Sequence, residues 1–247
     1  MSAPGDKAGP SQISKSVENE AASKPVSILS SSQAQVARHV HPVLLVAFFL
    51  VRFNALVLDP VATMWNSLPV VLAMQVAYAI VCLPPAGAQA AKAPKKPRPG
   101  EKKKPAAEGS GSNIAVTTTA ALFLSTFSAC ALHLIFVLFG APLLTHLPNT
   151  FLCSLHLSLL GLFPLFYTHG VTKNSWLEIL GARAPFDETF GGLVGGCLGA
   201  WLGAVPIPLD WDREWQKWPI TILCGVYAGY VVGKAVGGTL AFGRRFG

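Results

Sequence analysis

The stretch "FGGLVGGCLGAWLGAVPIPLDWDREWQKWPITILCGVYAGYVVGKAVGG" (Phe190–Gly238) sets two glycine ladders on either side of a charged, tryptophan-rich turn. In the first ladder Gly191, Gly195, Gly199 and Gly203 recur every fourth residue, with Gly192, Gly196, Ala200 and Ala204 as a second small-residue row. The second ladder repeats the device with Gly225, Gly229, Gly233 and Gly237. Residues four apart share one face of a helix. In lipid, apolar burial gives no net drive for helix association, and small-x-x-x-small faces gain dispersion contacts by letting backbones approach closely. The pattern therefore predicts two closely packed transmembrane helices. They pack on each other, or they present a groove to a helix of a partner.

The rest of the chain agrees with a membrane setting. Of its 247 residues 51% are hydrophobic and only 13% charged, and the mean hydropathy is +0.47, which excludes an ordinary water-soluble core. A bilayer core of about 30 Å takes about 20 apolar residues as a helix. Such runs occur at roughly 40–58, 62–83, 114–140, 149–168, 190–208 and 218–240. The expected fold is all-α, a polytopic bundle of six transmembrane helices. Residues 1–38 read as a disordered cytosolic tail, 39–83 as a transmembrane hairpin, 84–113 as a basic, flexible cytosolic loop, and 114–247 as a four-span core.

Lys and Arg set the expected orientation. Most of the 19 fall in the tail, in the loop from Lys92 to Lys104, around Lys173 and Arg183, and at Arg244 and Arg245. Cytoplasmic flanks carry that excess, so both termini are expected in the cytosol and the hairpin at 206–219 on the lumenal face. A net charge of +7 is accounted for by this asymmetry, and the basic loop has no aromatic residue, which disfavours nucleic acid as a partner. The five cysteines stand singly in apolar runs and read as small buried hydrophobes.

Polar groups inside the spans are few. Arg52 lies past the middle of the first span, where an unpaired cation costs about 2.5–3.5 kcal/mol; Asp59, Asn54 and a lipid phosphate are its candidate partners. His133 and His156 have the positions to face each other, yet two histidines alone make a poor metal site. Lys234, near a span end, is expected to snorkel. The spans, bounded as above, carry no acidic residue, and the chain has no H-E-x-x-H, phosphate loop or G-x-S-x-G. No catalytic residue, metal or cofactor is therefore expected.

In the turn, Trp211, Trp215 and Trp218 stand at helical spacing, which would set all three on one side of a short helical turn, with Trp201 deeper in the preceding span. Tryptophan favours the membrane interface, and Asp210 or Asp212 is a candidate cap for the turn. Asp210, Asp212 and Arg213, together with Arg52, are also the residues that a lipid-handling enzyme would use on a phosphate head group.

"GAWLGAVPIPLDWDREWQKWPIT" (Gly199–Thr221) and "HLIFVLFGAPL" (His133–Leu143) resemble the signatures of the PIG-F family, fungal members included. The family pattern has Pro where this chain has Glu214. The resemblance covers roughly residues 120–247. It implies a multi-pass protein of the endoplasmic reticulum membrane in glycosylphosphatidylinositol (GPI) anchor synthesis, a non-catalytic stabilising subunit of GPI ethanolamine phosphate transferases. The implied partners are the catalytic subunits, with phosphatidylethanolamine and GPI intermediates as lipids near the interface. Under that reading the partner-binding candidates are Gly191, Gly195, Gly199, Gly203, Trp201, Trp211, Trp215, Trp218, Gly225, Gly229 and Gly233.

Overall fold

The computed structural model describes residues 23–88 and 113–246. The described residues form helices and turns only: α1 (Ser32–Leu58), α2 (Pro60–Cys82), α3 (Ile114–Leu138), α4 (Leu147–His169, with a π-helical turn at Ser158–Leu162), α5 (Lys173–Leu180), α6 (Glu188–Gly203), a 3₁₀ turn (Glu214–Gln216) and α7 (Ile220–Gly238). Five of them, α1, α2, α3, α4 and α7, are long and apolar enough to cross a membrane. The sixth expected span, α6, has 16 residues, about 24 Å at 1.5 Å per residue, and is shorter than a hydrocarbon core.

Polar side chains mark where the helices begin. Asp59 closes one helix and opens the next: its N–H bonds the Ala55 carbonyl at 2.9 Å, and its carboxylate accepts from Ala62 N at 3.0 Å. Pro60 follows at the first helical position, where no N–H partner is needed. Asn113 caps α3 through Ala115 N and Val116 N. Within the resembling segment His133–Leu143, Gly140 has φ +101, a left-handed conformation that glycine alone adopts without strain. It lets Ala141 N bond back to the Phe136 carbonyl at 2.9 Å and end α3.

α4 is the buried centre of the bundle. Its surface from Leu152 to Thr168 is almost wholly covered, by α2 and α3 on one side and α6 and α7 on the other. Many serines and threonines along the spans bond carbonyls within or between helices, as Ser154 does to Thr150 O at 2.8 Å and Ser158 does to Ser125 O. This satisfies polar groups that lipid leaves without water. His156 donates from Nε2 to the Met64 carbonyl at 3.1 Å and accepts at Nδ1 from the Tyr227 hydroxyl at 2.8 Å. The carbonyl can only accept, and this assigns the tautomer. The outer faces of α1 and α3 instead show Val51, Phe123, Phe127 and Leu138, a lipid-facing composition.

Several expectations change. Ser32–Arg38, assigned to the tail, are the first turns of α1, and Ser23–Ser30 run as an extended strap across the bundle end. Val26 N bonds the Asp187 carboxylate at 2.8 Å, and Leu29 N bonds the Cys82 carbonyl at 2.9 Å. Residues 1–22 and most of the basic loop lie outside the described residues. His133 does not meet His156; its ring lies 6.2 Å from that of Phe151. Cys82 and Cys153 are buried, but Cys130 and Cys197 face outward.

Replacing His156 by Leu removes both bonds that tie α4 to α2 and α7. Intramembrane bonds of this kind contribute about 1 kcal/mol each. The variant is expected to lose its monodisperse elution in detergent at a temperature several degrees lower than the parent, as read by size exclusion after heating.

Candidate interaction surface

The two glycine ladders face each other. A Cβ built on Gly191, Gly195 or Gly199 of α6 would overlap the carbonyl oxygen of Gly233, Gly229 or Gly225 of α7, and the reverse holds for each partner. Gly203 meets Thr221 O, and Gly237 meets Asp187 O. The two backbones are therefore in direct contact along the whole of α6. The second row faces inward: a Cβ on Gly192 would come within 2.8 Å of the Tyr230 ring, and one on Gly196 within 3.0 Å of Leu157. The α6–α7 pair thus packs on itself and on α4.

On its outer side the seam stays open. Gly195, Gly225, Gly229 and Gly233 are partly exposed there, at the floor of a shallow apolar groove of about 870 Å³. Its walls are Val194, Leu198 and Leu202 on α6 and Ala228, Val232 and Val236 on α7. Phe186 and Phe246 stand at one end, Pro206 and Trp215 at the other. A seam made of glycine leaves a trough, because the helices meet without side chains to fill the angle between them. Trp201, 62% exposed, lies on the outside of α6.

The hairpin beyond the groove is held by a residue that the sequence did not single out. Gln216, buried, accepts from Arg213 N at 2.9 Å and donates to the carbonyls of Pro206 and Leu209 at 2.8 and 2.7 Å. It closes the loop in place of the expected aspartate cap, and a Gln three residues past a turn start was the available signal. Trp211 and Trp215 meet in a tilted contact, with ring centroids 5.8 Å apart and planes at 55°. Trp218 turns the other way, its indole N–H donating to Thr150 Oγ1 at 3.1 Å on α4, because the turn is 3₁₀ and too short to keep one helical face. Asp210, Asp212, Arg213 and Glu214 point outward, and Glu214 pairs with Lys217. Glu214 opens the turn, a position whose N–H needs no partner, so a proline there suits the same backbone. Among the described residues no three His, Cys, Asp or Glu side chains converge to hold a metal.

At the opposite end lies a buried charge cluster that sequence reasoning missed. Glu188, the first residue of α6, is 5% exposed; it pairs with Arg38 of α1, accepts from the Tyr78 hydroxyl of α2 at 2.8 Å, and lies 3.8 Å from Lys234 of α7. Lys234 does not snorkel. At 3% exposure its ammonium sits 3.3 Å from the centre of the Tyr78 ring and 3.2 Å from His41 Nδ1. The spans do hold a carboxylate, because the helix starts two residues before the apolar run. Asp187 beside it caps α6 through Thr189 N and Phe190 N at 2.8 and 2.9 Å. The Asp-Glu pair ahead of a glycine ladder was the signal for this helix start. Arg52 and Asn54, by contrast, make no hydrogen bond or ion pair among the described residues, and Asp59 is used as a cap.

Comparison with known sequences decides the family. The description "GPI biosynthesis protein family Pig-F" matches residues 40–238. The chain belongs to the PIG-F family. Among PIG-F relatives, Glycosylphosphatidylinositol anchor biosynthesis protein 11 of Neurospora crassa is 56% identical over 223 residues, 90% of this chain and 81% of that one. The protein of the same name from Aspergillus fumigatus is 41% identical, covering 86% of this chain and 82% of its own length. The human GPI ethanolamine phosphate transferase, stabilizing subunit, is 38% identical over 113 residues, 44% of this chain and 52% of its own length. No solved structure matches.

Two substitutions test the seam. Gly229→Leu places a branched side chain against the Gly195 carbonyl and is expected to abolish accumulation of the folded chain, while Gly195→Ala, with one methyl in the same contact, should lower its thermal stability measurably. Glu188→Gln leaves Arg38 and Lys234 without their counter-charge. Breaking a buried pair costs about 3–5 kcal/mol, so this variant should unfold in detergent well below the parent in a heating series.

Proposed function

We propose that the chain is a non-catalytic stabilising subunit of GPI ethanolamine phosphate transferase complexes in the endoplasmic reticulum membrane. It has six membrane helices, with both termini in the cytosol and the tryptophan hairpin in the lumen. The observation that carries the reading is the open apolar groove over the glycine seam, which ends at Trp215. A groove about as long as α6 has the dimensions to take one membrane helix, and its floor offers backbone at a distance that glycine alone permits. The occupant in this reading is a transmembrane helix of the catalytic subunit. The adjoining Trp211 and Trp215 then meet the same subunit where it leaves the bilayer.

Three things support the role. The human relative bears the name of a transferase stabilizing subunit. Asp210, Asp212, Arg213 and Glu214 of the hairpin face outward, and Glu214 pairs with Lys217 at the surface. The strongest charge cluster is paired internally and serves to hold helices together. The lumenal placement of the hairpin rests on the excess of Lys and Arg at the other end.

Leu198→Trp combined with Val232→Trp fills the groove from its rims and leaves the glycine seam intact. Expression and elution of the chain are expected to be unchanged, and co-purification of the transferase catalytic subunit in mild detergent should fall by about tenfold, the scale of a lost hot spot. Trp211→Ala with Trp215→Ala should weaken the same complex. Undiminished capture of the catalytic subunit by both pairs of variants would refute the docking site.

A further inference from the structure

Arg52 is a cation among the helices for which the described residues provide no counter-charge. It lies six residues before Leu58, about 9 Å inside the end of α1 at 1.5 Å per residue, partly exposed on the flank of the bundle. It borders a crevice lined by Thr63 and Ser67 of α2, His156 of α4 and Tyr227 of α7. Three of the polar side chains there are already engaged. Ser67 donates to Thr63 O at 2.6 Å, Tyr227 donates to His156, and His156 donates to Met64 O. Asp59, the nearest acid along α1, spends its carboxylate on the cap of α2. The contrast with Lys234 is informative: the bundle surrounds that cation with a carboxylate and an aromatic ring, and leaves the five donors of Arg52 unused.

An unpaired guanidinium at this depth is costly, and no partner for it stands among the described residues, which points to a group outside them. The surroundings indicate which kind. Trp65 of α2, 63% exposed, lies five residues inside the start of its helix and so at nearly the same depth as Arg52. Outward-facing tryptophan at a helix end marks the head-group boundary. The crevice itself is about 10 Å³, room for one water-sized group and no more. That admits an oxygen of a bound group but no soluble substrate.

We propose that Arg52 binds the phosphodiester of a membrane phospholipid seated against α1 and α2, with the acyl chains along the exposed faces of the two helices. The guanidinium fork takes two phosphate oxygens at once, and the length of the arginine side chain spans most of the distance to the head-group plane. This site goes beyond the docking role and does not depend on it, since the chain alone supplies all its residues.

The test uses the full chain purified in detergent, without any transferase, to which phosphatidylcholine, diacylglycerol or inorganic phosphate is added. Phosphatidylcholine is expected to raise the unfolding temperature of the parent, while diacylglycerol, which lacks the phosphate, and inorganic phosphate, which lacks the chains, leave it unchanged. Arg52→Met should retain about tenfold less phospholipid in native mass spectrometry, the loss of one charge-assisted contact, and Arg52→Lys should recover part of it. In lipid-free detergent Arg52→Met is expected to be at least as stable as the parent, because it removes an uncompensated cation. If Arg52→Met is destabilised equally with and without phospholipid, the arginine has an internal partner and the proposal fails. A response to inorganic phosphate equal to that of the lipid makes the site a free-anion site. Unchanged phospholipid retention with weaker capture of the transferase would assign the counter-charge to a partner protein. Either result overturns the proposal.

Discussion

The contact between the backbones of α6 and α7 is the constraint on which the other parts of the bundle rest. Glycine at 191, 195 and 199 on one helix, and at 225, 229 and 233 on the other, brings carbonyl oxygens to distances that no side chain permits. In lipid this approach is the source of attraction, since dispersion between close backbones replaces the hydrophobic drive of water. The same choice of residue has two further effects. It lets α6 remain short, because the helix is held along its whole length by α7. It also leaves the outer side of the pair without filling, and so creates the groove.

The closed end of the pair is held by charge. Glu188 cannot be buried alone; Arg38, Tyr78 and Lys234 approach it from three other helices and give it the partners that burial demands. The N-terminal strap adds Val26 to the neighbouring Asp187. At the other end the hairpin has no such knot. It is held by Gln216, by Trp218 against α4, and by the tilted contact of the Trp211 and Trp215 rings. One end of the bundle is thus fastened by buried ions and the other by amide bonds and rings. The more lightly held end carries both the exposed aromatics and the unpaired Arg52.

A stabilising role is consistent with this division. The buried polar groups are spent on keeping helices together, and the surfaces left over are apolar at membrane depth and aromatic at its edge. Membership of the PIG-F family and the arrangement of these surfaces point the same way. A membrane protein that offers a helix-sized trough, with its own fold secured elsewhere, can accept a partner helix without rearranging.

The sequence by itself determined the helical class, the membrane setting, the Asp59–Pro60 turn and the presence of two close-packing glycine faces, while the structure decided that the two faces meet each other. Each of the former is written in local period or composition: fourfold glycine spacing, apolar run length, a cap residue followed by proline. It also carried the family, through the segments at 133–143 and 199–221. Only the tertiary structure decided that Lys234 is buried with Glu188, that Gln216 closes the hairpin, that Trp218 parts from the other two tryptophans, and that Arg52 has no partner among the described residues. Those outcomes depend on side chains separated by up to about 200 positions, as Arg38 is from the Gly238 carbonyl it reaches at 2.7 Å. A local pattern records how a helix is bounded and which face it buries. Which charge meets which is set by the order in which helices pack around α4, and no spacing along the chain encodes that order.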